Sequence, residues 1–274
     1  MIKSDYHMHS SFSGDSKAPM DTMIDKAKEL NLDTICFTEH YDPLFPCYKP
    51  EEEGEFDLDT NSYLSKAALF RNDESLQSKI NVNFGIELGI YPGIYDIGNI
   101  IIEEGNYDFV ICSSHTALKI DPYYPEYWKD KTVIQGARDY FAEILTNVQN
   151  FDNFDVYGHL DYCMRYIQAT NEDLKLSHYE DIFEEIFKIL IEKGKGIEIN
   201  SNGLRSSLKQ FNPNPAILKL YKDMGGEIVT FGSDAHSPEY IAYENKKAEE
   251  LLLSLGFKYH VNFKSRKPEF ISLL

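Results

Sequence analysis

Short β-branched and aromatic runs recur along the chain at residues 5–7, 34–37, 83–86, 109–112, 155–157, 196–199 and 227–231, which predicts seven strands. Between them apolar residues return at helical spacing. Met20, Ile24, Ala27 and Leu30 follow Pro19, and Ile182, Ile186, Ile189 and Leu190 follow Ser177, a candidate helix cap. Strand and helix alternate throughout, which implies right-handed crossovers and a mainly parallel sheet. Closing that sheet puts every strand C-terminus on one rim, and seven runs predict a distorted (β/α)7 TIM-like barrel of the α/β class. Residues 41–59 and 116–135, rich in Pro, Tyr and acidic side chains, are too polar for a core and predict rim loops. Within the first, residues 51–55 predict a solvated acidic loop. The run Leu251-Leu252-Leu253 predicts a helix packed on the barrel. No Pro/Gly/Ser-rich linker divides the 274 residues, so one domain over 1–274 is expected.

Charge narrows the partners. A net charge of −18 disfavours any ligand held by a nucleic-acid backbone, because the lysines and arginines form only short groups such as those at 264–267. The first residues contain no apolar signal region, and no apolar run approaches the roughly 20 residues needed to cross a bilayer. A soluble, cytoplasmic protein without membrane or nucleic-acid partners is expected; the oligomeric state stays open. Cys36, Cys47, Cys112 and Cys163 lack C-x-x-C spacing, which argues against disulfides or a cysteine metal site.

Histidine placement carries the chemistry. Six of the eight histidines, His7, His9, His40, His115, His159 and His236, stand at or just after predicted strand ends. His7 and His9, one residue apart, point to the same face of an extended strand and can chelate one ion. Glu87 and Asp234 close two further strands, and mixed carboxylate and imidazole donors suit Zn, Fe or Mn. His178 and His260 lie away from strand ends and are expected to be structural.

Six motifs in order, Asp5-Tyr6-His7-Met8-His9-Ser10, Phe37-Thr38-Glu39-His40, Gly85-Ile86-Glu87, Ser113-Ser114-His115, Gly158-His159-Leu160-Asp161 and Gly232-Ser233-Asp234-Ala235-His236, resemble the polymerase-and-histidinol-phosphatase (PHP) superfamily. The resemblance implies a seven-stranded distorted barrel and a site for three divalent ions (Zn, Fe or Mn). It implies a first ion on His7, His9, Glu87 and Asp234, a second shared through Glu87 with His115 and His159, and a third on His40, His236 and Asp15. Asp15, in a loop after the first strand, is the least secure of these, with a solvated loop aspartate or a helix cap as the competing reading.

Arg165 and Arg205, two of only five arginines, each follow a strand shortly and offer planar forks for phosphate oxygens. With the chain length, they make the sequence most similar to the stand-alone histidinol-phosphate phosphatases of that superfamily. This implies hydrolysis of a small phosphate monoester, L-histidinol phosphate, in histidine biosynthesis. In this reading a metal-bridging hydroxide attacks phosphorus in line while Arg165 and Arg205 neutralise the phosphoryl oxygens. Asp161 and His40 are the candidates for protonating the leaving oxygen, and Tyr123, Tyr124 or Trp128 could stack on the imidazole. A phosphotyrosine or general phosphoesterase is the alternative within enzymes, and a catalytically silent metal-binding module the alternative outside them.

Overall fold

The computed structural model describes residues 1–46, 49, 53–167 and 169–274. Seven parallel strands pair in sequence order: β1 (Ser4–Asp5), β2 (Thr34–Tyr41), β3 (Asn81–Gly89), β4 (Val110–Ser113), β5 (Val156–Tyr157), β6 (Gly196–Asn200) and β7 (Val229–Gly232). The last strand then meets the first. Tyr6 N–H donates to the Phe231 carbonyl at 2.9 Å, Asp234 N–H to that of His7 at 2.8 Å, and His9 N–H to that of Ala235 at 2.9 Å. The result is the expected (β/α)7 barrel. Its crossovers are α1 (Met20–Glu29), α2 (Thr60–Arg71) with α3 (Glu74–Gln77), α4 (Tyr95–Glu104), α5 (Pro125–Trp128) with α6 (Val133–Asn150), α7 (Glu180–Glu192) and α8 (Pro215–Asp223), and α9 (Asn245–Ser254) follows the last strand.

Alternation along the strands sorts side chains to two sides of the sheet. Ile35, Phe37, Val110, Cys112 and Tyr157 join the large core under the helices. Cys36, Ile111 and Val156, out of phase with them, join Tyr6 and Phe109 in a separate cluster inside the barrel. Further along the same inward phase come His40 and Glu87, which are register partners on β2 and β3. The interior is therefore apolar at the strand N-termini and polar at the C-termini.

A hairpin that the strand pattern does not predict closes the apolar end. It consists of β8 (Tyr259–Lys264) and β9 (Lys267–Ser272), paired antiparallel. Val261 and Phe263 complete the inner cluster, with the Phe263 ring 5.0 Å from that of Phe109. Tyr6 Oη and Asn83 Nδ2 donate to the Phe263 carbonyl at 2.8 and 3.1 Å, and Arg266 Nε pairs with Asp155 at 2.6 Å. His260 is buried in β8.

Ser177 does not cap α7. It lies in the 3-10 turn Leu176–His178, and Tyr179 precedes the helix with no side-chain cap. Glu180 and Asp181 in the first turn supply the negative charge that a helix N-terminus favours. The second rim segment is partly helical: it contains α5, and the Thr132–Gln135 capping box starts α6. In the first, Asp42 N–H donates to the Phe56 carbonyl at 3.0 Å and draws the loop's ends together. Glu53 and Glu55 are exposed as expected; Cys47, Glu51 and Glu52 lie outside the described residues. Cys36, Cys112 and Cys163 are buried free thiols. Leu252 is buried against the main core, with Leu251 and Leu253 half-buried beside it. Among the described residues no helix is long and apolar enough to cross a membrane.

Candidate metal centre

All nine residues expected to hold metal gather where the strands end, and Glu87 stands in their middle. Its Oε2 lies 3.0 Å from His7 Nε2, 3.5 Å from His9 Nε2 and 3.0 Å from His40 Nδ1. Its Oε1 lies 2.8 Å from His159 Nε2 and 3.2 Å from His115 Nε2. One carboxylate thus serves two groups of imidazoles, one per oxygen. Asp234 Oδ1 joins the first group at 3.5 Å from His9 Nε2 and 3.9 Å from His7 Nε2. Asp15 Oδ2 lies 3.0 Å from His236 Nε2 and 3.7 Å from His40 Nε2, so the loop after β1 brings it to the site as well. The His40 and His236 rings stack on His9 at 4.1 and 4.3 Å.

The donors suit cations. His7 Nε2, His9 Nε2, His40 Nδ1, His236 Nε2 and Glu87 Oε2 are buried without a hydrogen-bond partner, although each lies within 3.5 Å of another of the site's ligand atoms. Close but misaligned for hydrogen bonding, these atoms face shared space. An ion bound tetrahedrally at roughly 2.0–2.1 Å separates its ligands by about 3.3 Å, the spacing seen here. Ligand-type atoms in the groups His7/His9/Glu87, Glu87/His115/His159 and His9/His40/His236 lie within 4.8 Å of one another.

Electrostatics make the same demand. Burial opposes ionisation of Glu87 and Asp234, yet the surrounding imidazoles, with Arg165 for Asp234, hold both well below the usual carboxylate range. Burial would depress His7 and His115 too, but nearby carboxylates reverse it and raise both well above 6.5. His40, against the same burial, is pushed up to about 9 by Glu87 and Asp15. His9 goes the other way, lowered by burial and by the cationic His40 and His236 beside it. The carboxylates call for positive charge at their centre, which protons or divalent cations can supply.

Two carboxylates that the sequence reading missed orient the imidazoles. Glu198 Oε1 is 2.6 Å from His7 Nδ1, and Asp42 Oδ1 is 2.6 Å from His115 Nδ1. Each fixes the proton on Nδ1 and turns Nε2 toward Glu87. Gly232 makes room for the first pair: a Cβ there would stand 2.0 Å from Glu198 Oε1 and 2.4 Å from His7 Cβ. Asp234 adopts a left-handed backbone, φ 54°, uncommon for a residue with a side chain and held by its N–H bond to the His7 carbonyl. The inward phase of 196–200 and the two-residue step from His40 were the available signals for Glu198 and Asp42.

A cleft opens over the centre, lined by Phe45, Phe56, Asp121, Tyr162, Arg165, Tyr166 and Asn202 together with His40, His115, His159 and His236. Arg165 is buried and pinned at three points: Nε donates to Asn212 Oδ1 at 2.7 Å, Nη2 to Asn200 Oδ1 at 3.1 Å and Nη1 to Asp234 Oδ2 at 3.3 Å. Arg205 does not line the cleft. Its guanidinium stacks 4.0 Å from the Tyr240 centroid and donates to the Asp234 carbonyl at 3.2 Å, bracing the β7 loop. Asp161 does not line it either. One oxygen accepts from Asn212 Nδ2 at 2.5 Å and the other from Asn214 N–H at 2.8 Å, so it is spent on the loop that holds Arg165. His40, the other candidate acid, lies in the cleft among the ligand groups. Tyr123, Tyr124 and Trp128 are absent from the lining; Trp128 Nε1 donates to the Pro122 carbonyl at 2.8 Å and ties its own loop together. Among the described residues, the aromatic rings that do line the cleft with the histidines are Phe45, Phe56, Tyr162 and Tyr166, the last two with centroids 5.1 Å apart.

Residues 5–202 match the PHP domain family. The histidinol-phosphatase of Lactococcus lactis is 32% identical over 97% of this chain and 96% of its own, and the probable histidinol-phosphatase of Clostridium acetobutylicum is 28% identical over 93% and 94%. A crystal structure of the Lactococcus lactis histidinol phosphate phosphatase, complexed with zinc, L-histidinol and phosphate, superposes with a TM-score of 0.87 at 32% identity, covering 98% of this chain and 99% of that one.

Proposed function

Because the chain belongs to the PHP-domain family, we propose that it hydrolyses L-histidinol phosphate to L-histidinol and phosphate, residues 1–274 forming one catalytic domain. The observation that carries this is the correspondence over nearly the whole chain with the Lactococcus lactis enzyme. In this reading His7, His9, Glu87 and Asp234 hold one divalent ion, Glu87, His115 and His159 a second, and Asp15, His40 and His236 a third. Zn, Fe and Mn all suit these donors. Bound there, such ions supply an activated water and positive charge for the phosphoryl oxygens.

The chain's own groups do the rest. Arg165, held rigidly over Asp234, presents its fork to the phosphoryl group as negative charge builds on it. Asp161 acts at a distance: its hold on Asn212 Nδ2 turns Asn212 Oδ1 toward Arg165 Nε. Arg205 fixes the loop that carries Asp234 and His236 rather than touching phosphate. Tyr162, Tyr166 and Asp121 meet the imidazole and amine of the substrate, the rings by stacking and the carboxylate by charge.

Phosphate release from L-histidinol phosphate, p-nitrophenyl phosphate and phosphotyrosine, after reconstitution with Zn, Mn or Fe, tests the reading. A kcat/KM for histidinol phosphate far above the other two establishes it. Equal activities on all three would leave a general phosphoesterase.

A further inference from the structure

His7 and His115 touch their orienting carboxylates directly, but His9 Nδ1 faces a hydroxyl, Ser13 Oγ, at 3.1 Å. Each neighbour of that hydroxyl permits only one role. Glu39 Oε2 lies 2.6 Å away, and a carboxylate can only accept, so the serine proton points to Glu39. His40 N–H, 2.9 Å away, can only donate, so it occupies a serine lone pair. What remains toward His9 is a lone pair, and His9 Nδ1 must carry the proton. Glu39 is locked in turn: fully buried, it accepts from the Ser10 hydroxyl at 2.6 Å and from Ser10 N–H at 2.9 Å.

The geometry points to Ser13 and Glu39 as positioning residues that fix the tautomer of His9 and seat His40 beside it. With Nδ1 protonated, the unpartnered His9 Nε2 keeps its lone pair free toward Glu87 and Asp234. Neither residue enters the ligand groups. Because Ser13 also holds the His40 backbone, one hydroxyl aligns ligands of two of the three proposed ions, while the Glu87/His115/His159 group lies outside its reach. The inference rests on the metal-site reading above but not on the identity of the substrate.

Ser13→Ala is the informative change: it removes at once the lone pair toward His9 Nδ1 and the acceptor of His40 N–H. In metal-free protein, nitrogen-15 imidazole spectra are expected to show His9 protonated on Nδ1 in the parent and a mixture of both tautomers in Ser13→Ala. In chelator competition with zinc, Ser13→Ala is expected to weaken the sites involving His9 and His40 by about 10- to 100-fold, the usual effect of losing an orienting partner. One tightly held zinc per chain is expected to remain, and Ser13→Thr, which keeps the hydroxyl, restores binding. His9 protonated on Nε2 in the metal-free parent, or parental zinc affinity in Ser13→Ala, overturns the inference. If Ser13→Ala does not fold, the tautomer of the parent decides alone. Neither readout uses a phosphate ester, so a wrong substrate leaves the result intact.

Discussion

Replacing Arg165 by lysine keeps the charge and removes the fork. The guanidinium satisfies Asn212, Asn200 and Asp234 at once, at 2.7, 3.1 and 3.3 Å. One ammonium on a flexible stem cannot span these three acceptors. Asn200 Oδ1 retains a second donor, the Asn202 N–H at 2.9 Å, so the acceptor left orphaned is Asn212 Oδ1, at a cost of about 1–3 kcal/mol to stability. At the reacting end the loss is one charge-assisted hydrogen bond, worth about 1.5–3 kcal/mol, which lowers kcat/KM by about 10- to 150-fold. Steady-state rates on L-histidinol phosphate with metal-loaded Arg165→Lys measure it, together with inhibition by inorganic phosphate. Both should weaken together if the arginine holds the phosphoryl group. A kcat/KM within about threefold of the parent, in a protein shown folded by urea denaturation, would refute the assignment. A large loss in kcat/KM with phosphate inhibition unchanged would make Arg165 a positioning residue acting through Asp234.

Three further outcomes are expected. Asp234→Ala and His9→Ala should each abolish turnover while leaving the far-ultraviolet circular dichroism unchanged; retained activity refutes the assigned metal core. His260, buried in β8, has its pKa lowered to about 4 by burial, against 6.5 in the unfolded chain. Between those values the unfolded state holds more protons, so stability rises with pH, is complete above 6.5 and is lost on acidification toward 4; this group alone contributes about 2 kcal/mol between pH 5 and 7. Urea titrations at the two pH values should show that increment missing in His260→Gln, and an equal pH response in both proteins would exclude it. Phe263→Ala should cost about 3–5 kcal/mol by emptying the barrel floor, while zinc affinity, measured below the unfolding transition, changes little.

The strand ends were legible because a closed parallel barrel repeats one unit, and every unit except that of β6 announces its rim with a histidine or carboxylate. The floor was not legible. Tyr259, Val261 and Phe263 alternate with polar residues, but the run is short and Pro268 weakens the signal in the strand that follows, and nothing local shows that Val261 and Phe263 complete a core built by other strands. The rim rule also stops at the backbone. Arg165, Arg205 and Asp161 do follow strands shortly, but whether each side chain turns into the cleft depends on Asn212, Tyr240 and Asn214, which no spacing reveals. The strand phase shows that Glu198 and Asp42 face the site but not which rings they orient, because their imidazole partners lie 191 and 73 residues away.

Barrel closure has a mechanical side. β1 is two residues long, and Asp5 joins it to the far end of the chain by accepting from Ser233, 228 residues later. His7 and His9 lie on one side of this seam and Asp234 and His236 on the other. An ion shared between them, as proposed, is a rivet through the joint between the beginning of the barrel and its last strand. Stripping the ions would then loosen the joint before the staves: amide exchange should quicken first at Tyr6, His9 and Asp234, while the long β2–β3 ladder stays protected.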